Sequence, residues 1–151
     1  MAQIIAYPSA DKVSADDCLL GTQKDQGTSN ITNPTKNFSV DSVVQAGLGY
    51  TAYTALLTQA GGSAPVATVL KNNTGATLSW SYVAGGIYEV TADSAIFTVN
   101  KTIVFNNNGI DNGGGNTPPQ WTRTSDTVIR LITGGIDNAM ENAAFEVRIY
   151  L

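Results

Sequence analysis

Ala143-Ala144-Phe145-Glu146-Val147-Arg148-Ile149-Tyr150-Leu151, the last nine residues, carry the clearest pattern in the chain. Phe145, Val147, Ile149 and Leu151 recur with period two and fall on one face of an extended strand, while Glu146, Arg148 and Tyr150 fall on the other. Such alternation suits a strand buried on one side only, as in antiparallel sheets. Working back from this end, six further strands are expected: Tyr50–Thr58, Ala64–Lys71, Ala76–Val83, Ile87–Ala92, Ala95–Asn106 and Asp126–Thr133. Turn-forming residues separate them, including Gly61-Gly62, Asn72-Asn73-Thr74-Gly75, Gly85-Gly86 and Gly134-Gly135. Their spacing suggests an all-β sandwich or barrel, and an antiparallel β-sandwich or jelly-roll-like domain is the expected fold.

Composition agrees. Gly, Ser, Thr and Asn fill more than a third of the 151 residues, whereas charged residues make up 13%. Thr favours pleated sheet, and Gly and Asn favour turns with positive φ. Hydrophobic residues at 42% are enough to build a core.

Ahead of Ala46 the character changes. Residues 1–46 hold 8 basic and acidic residues of the chain's 20 and form a separate segment, with residues 47–151 as the β domain. Cys18-Leu19-Leu20-Gly21-Thr22 is a short apolar strand, Gln23 to Pro34 a polar loop, and Lys36-Asn37-Phe38-Ser39-Val40 a second strand with Phe38 and Val40 on one face. Ser39 or Asp41 then caps a helical turn through Ser42-Val43-Val44-Gln45. So few apolar groups, each worth about 1.5–3 kcal/mol when buried, do not offset an ordering cost of about 1–2 kcal/mol per residue. The segment is therefore expected to be ordered by a partner or by neighbouring copies.

Several chemistries are excluded by residue type. The chain has no histidine and one cysteine, Cys18, so His-based triads, His-ligated metals, multi-Cys clusters and internal disulfides are ruled out. The net charge of −4 and the lack of any Lys/Arg cluster argue against nucleic acid. No stretch approaches the ~18 apolar residues of a membrane span, and the N-terminus lacks the basic and apolar regions of a secretory signal. Asp16 and Asp17 are adjacent in an extended segment and point to opposite faces, so they do not form an acid–base pair. Asp93, Asp111, Asp126 and Asp137 sit in or beside turns. No catalytic residue, metal site or cofactor is expected.

Two candidate contact regions stand out. The run Asn106-Asn107-Asn108-Gly109-Ile110-Asp111-Asn112-Gly113-Gly114-Gly115-Asn116 lacks the acidic pattern of a calcium loop and the Lys of a phosphate loop, and reads as a long exposed loop. Asn107, Asn108, Asp111 and Asn112, with Trp121 in the loop after Pro118-Pro119, are the expected surface-contact residues. Trp80 and Tyr82 alternate in a strand and are expected in the core or in cross-strand pairs.

The series Asp16-Asp17-Cys18-Leu19-Leu20-Gly21-Thr22 followed by Thr35-Lys36-Asn37-Phe38-Ser39-Val40-Asp41 resembles an attachment module of tailed-phage virion proteins. Those modules join a D-x-L-L-G strand, a polar loop and a T-K-[NK]-[FV]-[ST]-V strand to a short helix. Tyr53-Thr54-Ala55-Leu56-Leu57-Thr58-Gln59, Ala64-Pro65-Val66-Ala67-Thr68-Val69-Leu70-Lys71-Asn72, Gly86-Ile87-Tyr88 and Glu146-Val147-Arg148-Ile149-Tyr150 are similar to pieces of appendage proteins of crAss-like and related Bacteroidota phages. Two departures are the long Gln23–Pro34 loop and Cys18, where a larger apolar residue is usual. The resemblance implies a non-enzymatic virion protein made in the host cytoplasm. It would be a head-fibre, tail-fibre or decoration subunit, often a homotrimer, docked to a capsid, neck or tail component. Leu19, Leu20, Phe38 and Val40 would carry the docking. The alternatives are a carbohydrate-binding module meeting host glycans through Trp121 and the Asn-rich loop, and a small depolymerase.

Overall fold

The computed structural model describes residues 18–22, 35–107 and 119–151. The chain divides into two units, residues 1–48 and 49–151.

In the first unit, β1 (Cys18–Thr22) pairs antiparallel with β2 (Thr35–Ser39), placing Leu19 opposite Phe38 and Leu20 opposite Asn37. Helix α1 (Val40–Leu48) follows at once. Ser39 is its N-cap, its hydroxyl oxygen accepting the Ser42 N–H at 3.2 Å, and Asp41 lies in the first turn where the helix dipole favours negative charge. The helix is longer than the single turn expected, and Val40 begins it instead of ending β2. Gly47 is carried inside it, and the stop comes at Gly49, whose φ of 69° turns the backbone into the left-handed region.

The second unit is a sandwich of two four-stranded antiparallel sheets. The remaining strands are β3 (Tyr50–Thr58), β4 (Val66–Asn72), β5 (Leu78–Ala84), β6 (Ile87–Ala92), β7 (Thr102–Asn106), β8 (Gln120–Arg123), β9 (Val128–Ile132) and β10 (Ala143–Tyr150). The first sheet runs in the order β4-β3-β10-β7 and the second β5-β6-β9-β8. Hairpins β3–β4, β5–β6 and β8–β9 each stay within one sheet. The strand that decides the fold class lies in the middle of the first sheet, with Phe145 opposite Ala55 on one side and Asn106 on the other.

Alternation on each central strand supplies the core. Tyr53, Ala55 and Leu57 of β3, Tyr88, Val90 and Ala92 of β6, Ile129 and Leu131 of β9, and Ala143, Phe145, Val147 and Ile149 of β10 are buried. The two layers meet through aromatics. Trp80 of the second sheet stands edge-on to Phe145 of the first, with ring centroids 4.9 Å apart and planes at 83°, and Tyr53 packs edgewise on the same ring at 6.2 Å. Leu151, expected to continue the buried row, is 75% exposed, because β10 ends at Tyr150.

Two strands depart from expectation. The long segment 95–106 is a strand only from Thr102, because Ile96 and Phe97 instead donate their backbone N–H groups to the Asp126 carbonyl, and Asn100 takes a φ of 61°. Phe97 is fully buried there, so the segment still contributes to the core. Strand β8 was not expected, since two prolines precede Gln120.

Side-chain hydrogen bonds hold the ends of the sandwich. Gln59, buried, donates from Nε2 to the Gly61 and Ser63 carbonyls, both at 2.9 Å, and accepts the Met140 N–H at 3.0 Å. Thr133 donates its hydroxyl toward the Gly86 and Ile136 carbonyls. Gly86 sits at φ 68°, and a Cβ there would lie 2.5 Å from the Gly135 nitrogen. Gly86→Ala therefore combines left-handed strain with a clash against backbone and is expected to cost upward of ~2 kcal/mol. Gly49→Ala, at φ 69° in open space, carries the strain alone, about 1–2 kcal/mol. Urea melts of the two variants should rank them in that order.

Candidate interaction surfaces

The first unit presents its apolar side chains outward. Helix α1 has no buried residue, with Val43 46%, Val44 50% and Leu48 38% exposed, and Leu19 on β1 is 49% exposed. Positions 40, 43, 44 and 48 follow helical spacing and form one apolar stripe. Of the four expected docking residues, Leu19 is exposed and Phe38 and Val40 are half-buried; the Leu20 side chain lies outside the described residues. The stripe on α1 adds Val43 and Val44, from the expected helical turn, and Leu48, which lies beyond it.

In the second unit the two outer faces differ. The second sheet turns outward Ser79, Ser81, Glu89, Thr91, Thr122 and Arg130, with the Arg130 guanidinium donating to the Glu89 carboxylate at 2.5 and 3.0 Å across the β6–β9 pair. The first sheet turns outward Leu56 (49% exposed), Ile103 (41%), Phe105 (49%) and Tyr150 (38%). Among them Arg148 lies over the Tyr50 ring at 4.9 Å and the Phe105 ring at 4.8 Å. It also donates to the Glu146 carboxylate, the first cause holding its guanidinium even more firmly protonated than usual. Thr54, Phe105, Asn106, Asn107, Ala144 and Glu146 border a shallow groove of about 320 Å³ at the β7 edge of this sheet.

The expected surface-contact residues divide. Asn107 is exposed, and its Oδ1 accepts the Ala144 N–H at 2.6 Å, tying the end of β7 to β10. Asn108, Asp111 and Asn112 lie outside the described residues, as do Asp16 and Asp17. Trp121 belongs to edge strand β8 rather than to a loop, opposite Leu131, so its indole leans toward the interior side and is 37% exposed. Trp80 and Tyr82 pack against the core, as expected of alternating aromatics.

Carboxylates among the described residues are engaged structurally. Besides Glu89 and Glu146, Asp126 pairs with Arg123, Glu141 accepts the Gln59 N–H at 2.5 Å, and Asp137 accepts the Tyr82 hydroxyl at 2.8 Å. No group of three His, Cys, Asp or Glu side chains suited to a metal ion occurs among the described residues, and no helix among them is long and apolar enough to cross a membrane. Comparisons with protein-family models, with curated proteins and with solved structures find no match to this chain.

Two tyrosines are pushed above the ordinary tyrosine range. Burial does this to Tyr53, which is 1% exposed, and the hydrogen bond to the Asp137 carboxylate does it to Tyr82. Both groups favour the neutral hydroxyl in the folded state. Their contribution is complete below the unfolded tyrosine value of about 10 and is lost as pH rises through the folded values. Thermal melts between pH ~9 and ~11 should show falling stability, and Tyr53→Phe should fall less steeply than the parent.

Proposed function

We propose that this protein is a non-enzymatic structural subunit of a tailed-phage particle, a small head-fibre or fibre-adaptor protein. Its first unit docks to a capsid, neck or tail component, and its β-sandwich projects outward in a homotrimer. The observation that carries this reading is the contrast between the units. Residues 49–151 bury a full complement of core side chains, while the described part of the first unit leaves Leu19, Val43, Val44 and Leu48 exposed around a two-stranded hairpin. A hairpin to which no further strand pairs among the described residues, with an apolar helical stripe beside it, suits strand addition and helix docking on another protein. The resemblance of Cys18–Thr22 and Thr35–Asp41 to phage attachment modules supplies the nature of that partner.

The carbohydrate-binding alternative has less support. Trp121 was to be its stacking platform, and that side chain sits at a sheet edge opposite core residue Leu131.

Val43→Asp/Val44→Asp places two charges in the stripe without touching the sandwich core. Tagged protein supplied during infection should then be lost from purified particles, by tenfold or more against the parent, while the circular dichroism of the β-sandwich is unchanged. Equal incorporation of the double variant would overturn the docking assignment.

A further inference from the structure

The two outer faces of the sandwich are built from the same kind of alternating strand, and they are not equally apolar. The second sheet turns outward mainly Ser79, Ser81, Glu89, Thr91, Thr122 and Arg130, with Val83 49% and Ile132 36% exposed beside them. The first sheet instead offers Leu56, Ile103, Phe105 and Tyr150, and its β4 rim adds Val66 at 66% and Leu70 at 61% exposed. Exposed apolar side chains on both sides of the Glu146–Arg148 pair mark a surface suited to being covered.

We infer that the outer face of the β4-β3-β10-β7 sheet is where copies of this chain pack against one another. Charge is the first reason the occupant is another copy. At the centre of the face Arg148 and Glu146 satisfy each other, and the Tyr50 and Phe105 rings flank the guanidinium. The centre therefore carries no net charge and a second copy approaches it without repulsion, whereas a strongly charged partner would find nothing there to pair with. Lys71 stands at the β4 rim, where its ammonium stays in water.

Size is the second reason. Strands of 7, 9, 8 and 5 residues make a face about 25 Å long, and four strands at ~4.8 Å make it about 19 Å wide. The projection is roughly 480 Å² a side, about 960 Å² over two copies, the size of a small, weak interface that mass action fills at micromolar concentration. Sheet faces pack on one another readily at about 10 Å separation. Phe105, half-exposed on edge strand β7 and stacked on Arg148, is the expected anchor.

The inference rests on the self-association in the reading above but not on docking by the first unit, so either can fail alone. Light scattering of the full chain from about 1 to 100 µM tests it. The parent should show two or three times 15.8 kDa. Leu56→Asp/Phe105→Asp should fall to the single-chain mass with its β-sheet circular dichroism retained, and Ser81→Asp/Thr122→Asp on the opposite face should keep the parent mass. If the Asp pair does not fold, Leu56→Gln/Phe105→Gln should dissociate at least tenfold more readily than the parent. A parent of single-chain mass overturns the inference, and so does a folded Leu56/Phe105 variant that remains assembled. A single-chain parent whose Phe105 resonances shift on adding lactose would assign the face to sugar binding instead.

Discussion

Everything in the β-sandwich depends on one contact between its layers, the edge of Trp80 against the ring of Phe145, with Tyr53 on the same ring. Each sheet alone has one apolar face, and two such faces are stable only against each other. Phe145 sits on the central strand of its sheet and Trp80 on an edge strand of the other, so the contact ties the middle of one layer to the rim of the second. Burial in this contact holds the Tyr53 hydroxyl above the ordinary tyrosine range, which makes the core sensitive to high pH.

The same alternation that fills the interior decides what faces outward. On β10 the inward set is Phe145, Val147 and Ile149 and the outward set is Glu146, Arg148 and Tyr150. On β3 and β7 the outward set is apolar as well, with Leu56, Ile103 and Phe105 exposed. The second sheet carries fewer apolar groups outward, Val83 and Ile132 among them, so the fold itself does not require the excess on the first. In the first unit the excess is more complete, since α1 buries nothing. Each unit thus leaves apolar side chains exposed, on β1 and α1 in the first and on the outer face of the β4-β3-β10-β7 sheet in the second.

Much of the sandwich was legible in the sequence. Tyr50–Thr58 and Ile87–Ala92 are strands to the residue, because glycines and polar turns bound them sharply. Segment 95–106 read as one strand because nothing in Phe97-Thr98-Val99-Asn100-Lys101 announces that Asn100 turns at positive φ. Strand β8 hid behind Pro118-Pro119, although Trp121 and Arg123 do alternate. Pairing was out of reach, since β3 and β10 meet from opposite ends of the unit. The candidate docking residues Leu19 and Phe38 were legible as apolar positions in a segment too small for a core, and the structure sets them opposite one another. The outer face of the first sheet was not legible. Both faces of Tyr53-Thr54-Ala55-Leu56-Leu57 contain apolar residues, and only the assembled sheet shows that Leu56 is the one left outside.

Docking as proposed requires that the sandwich fold without a particle partner while the first unit is ordered by one. Hydrogen exchange of the free full-length protein tests this most directly. Amides of β3, β6 and β10 should exchange only through global unfolding, whereas those of β1, β2 and α1 should exchange orders of magnitude faster and become protected in purified particles. Equal protection of the two units in the free protein would contradict the account.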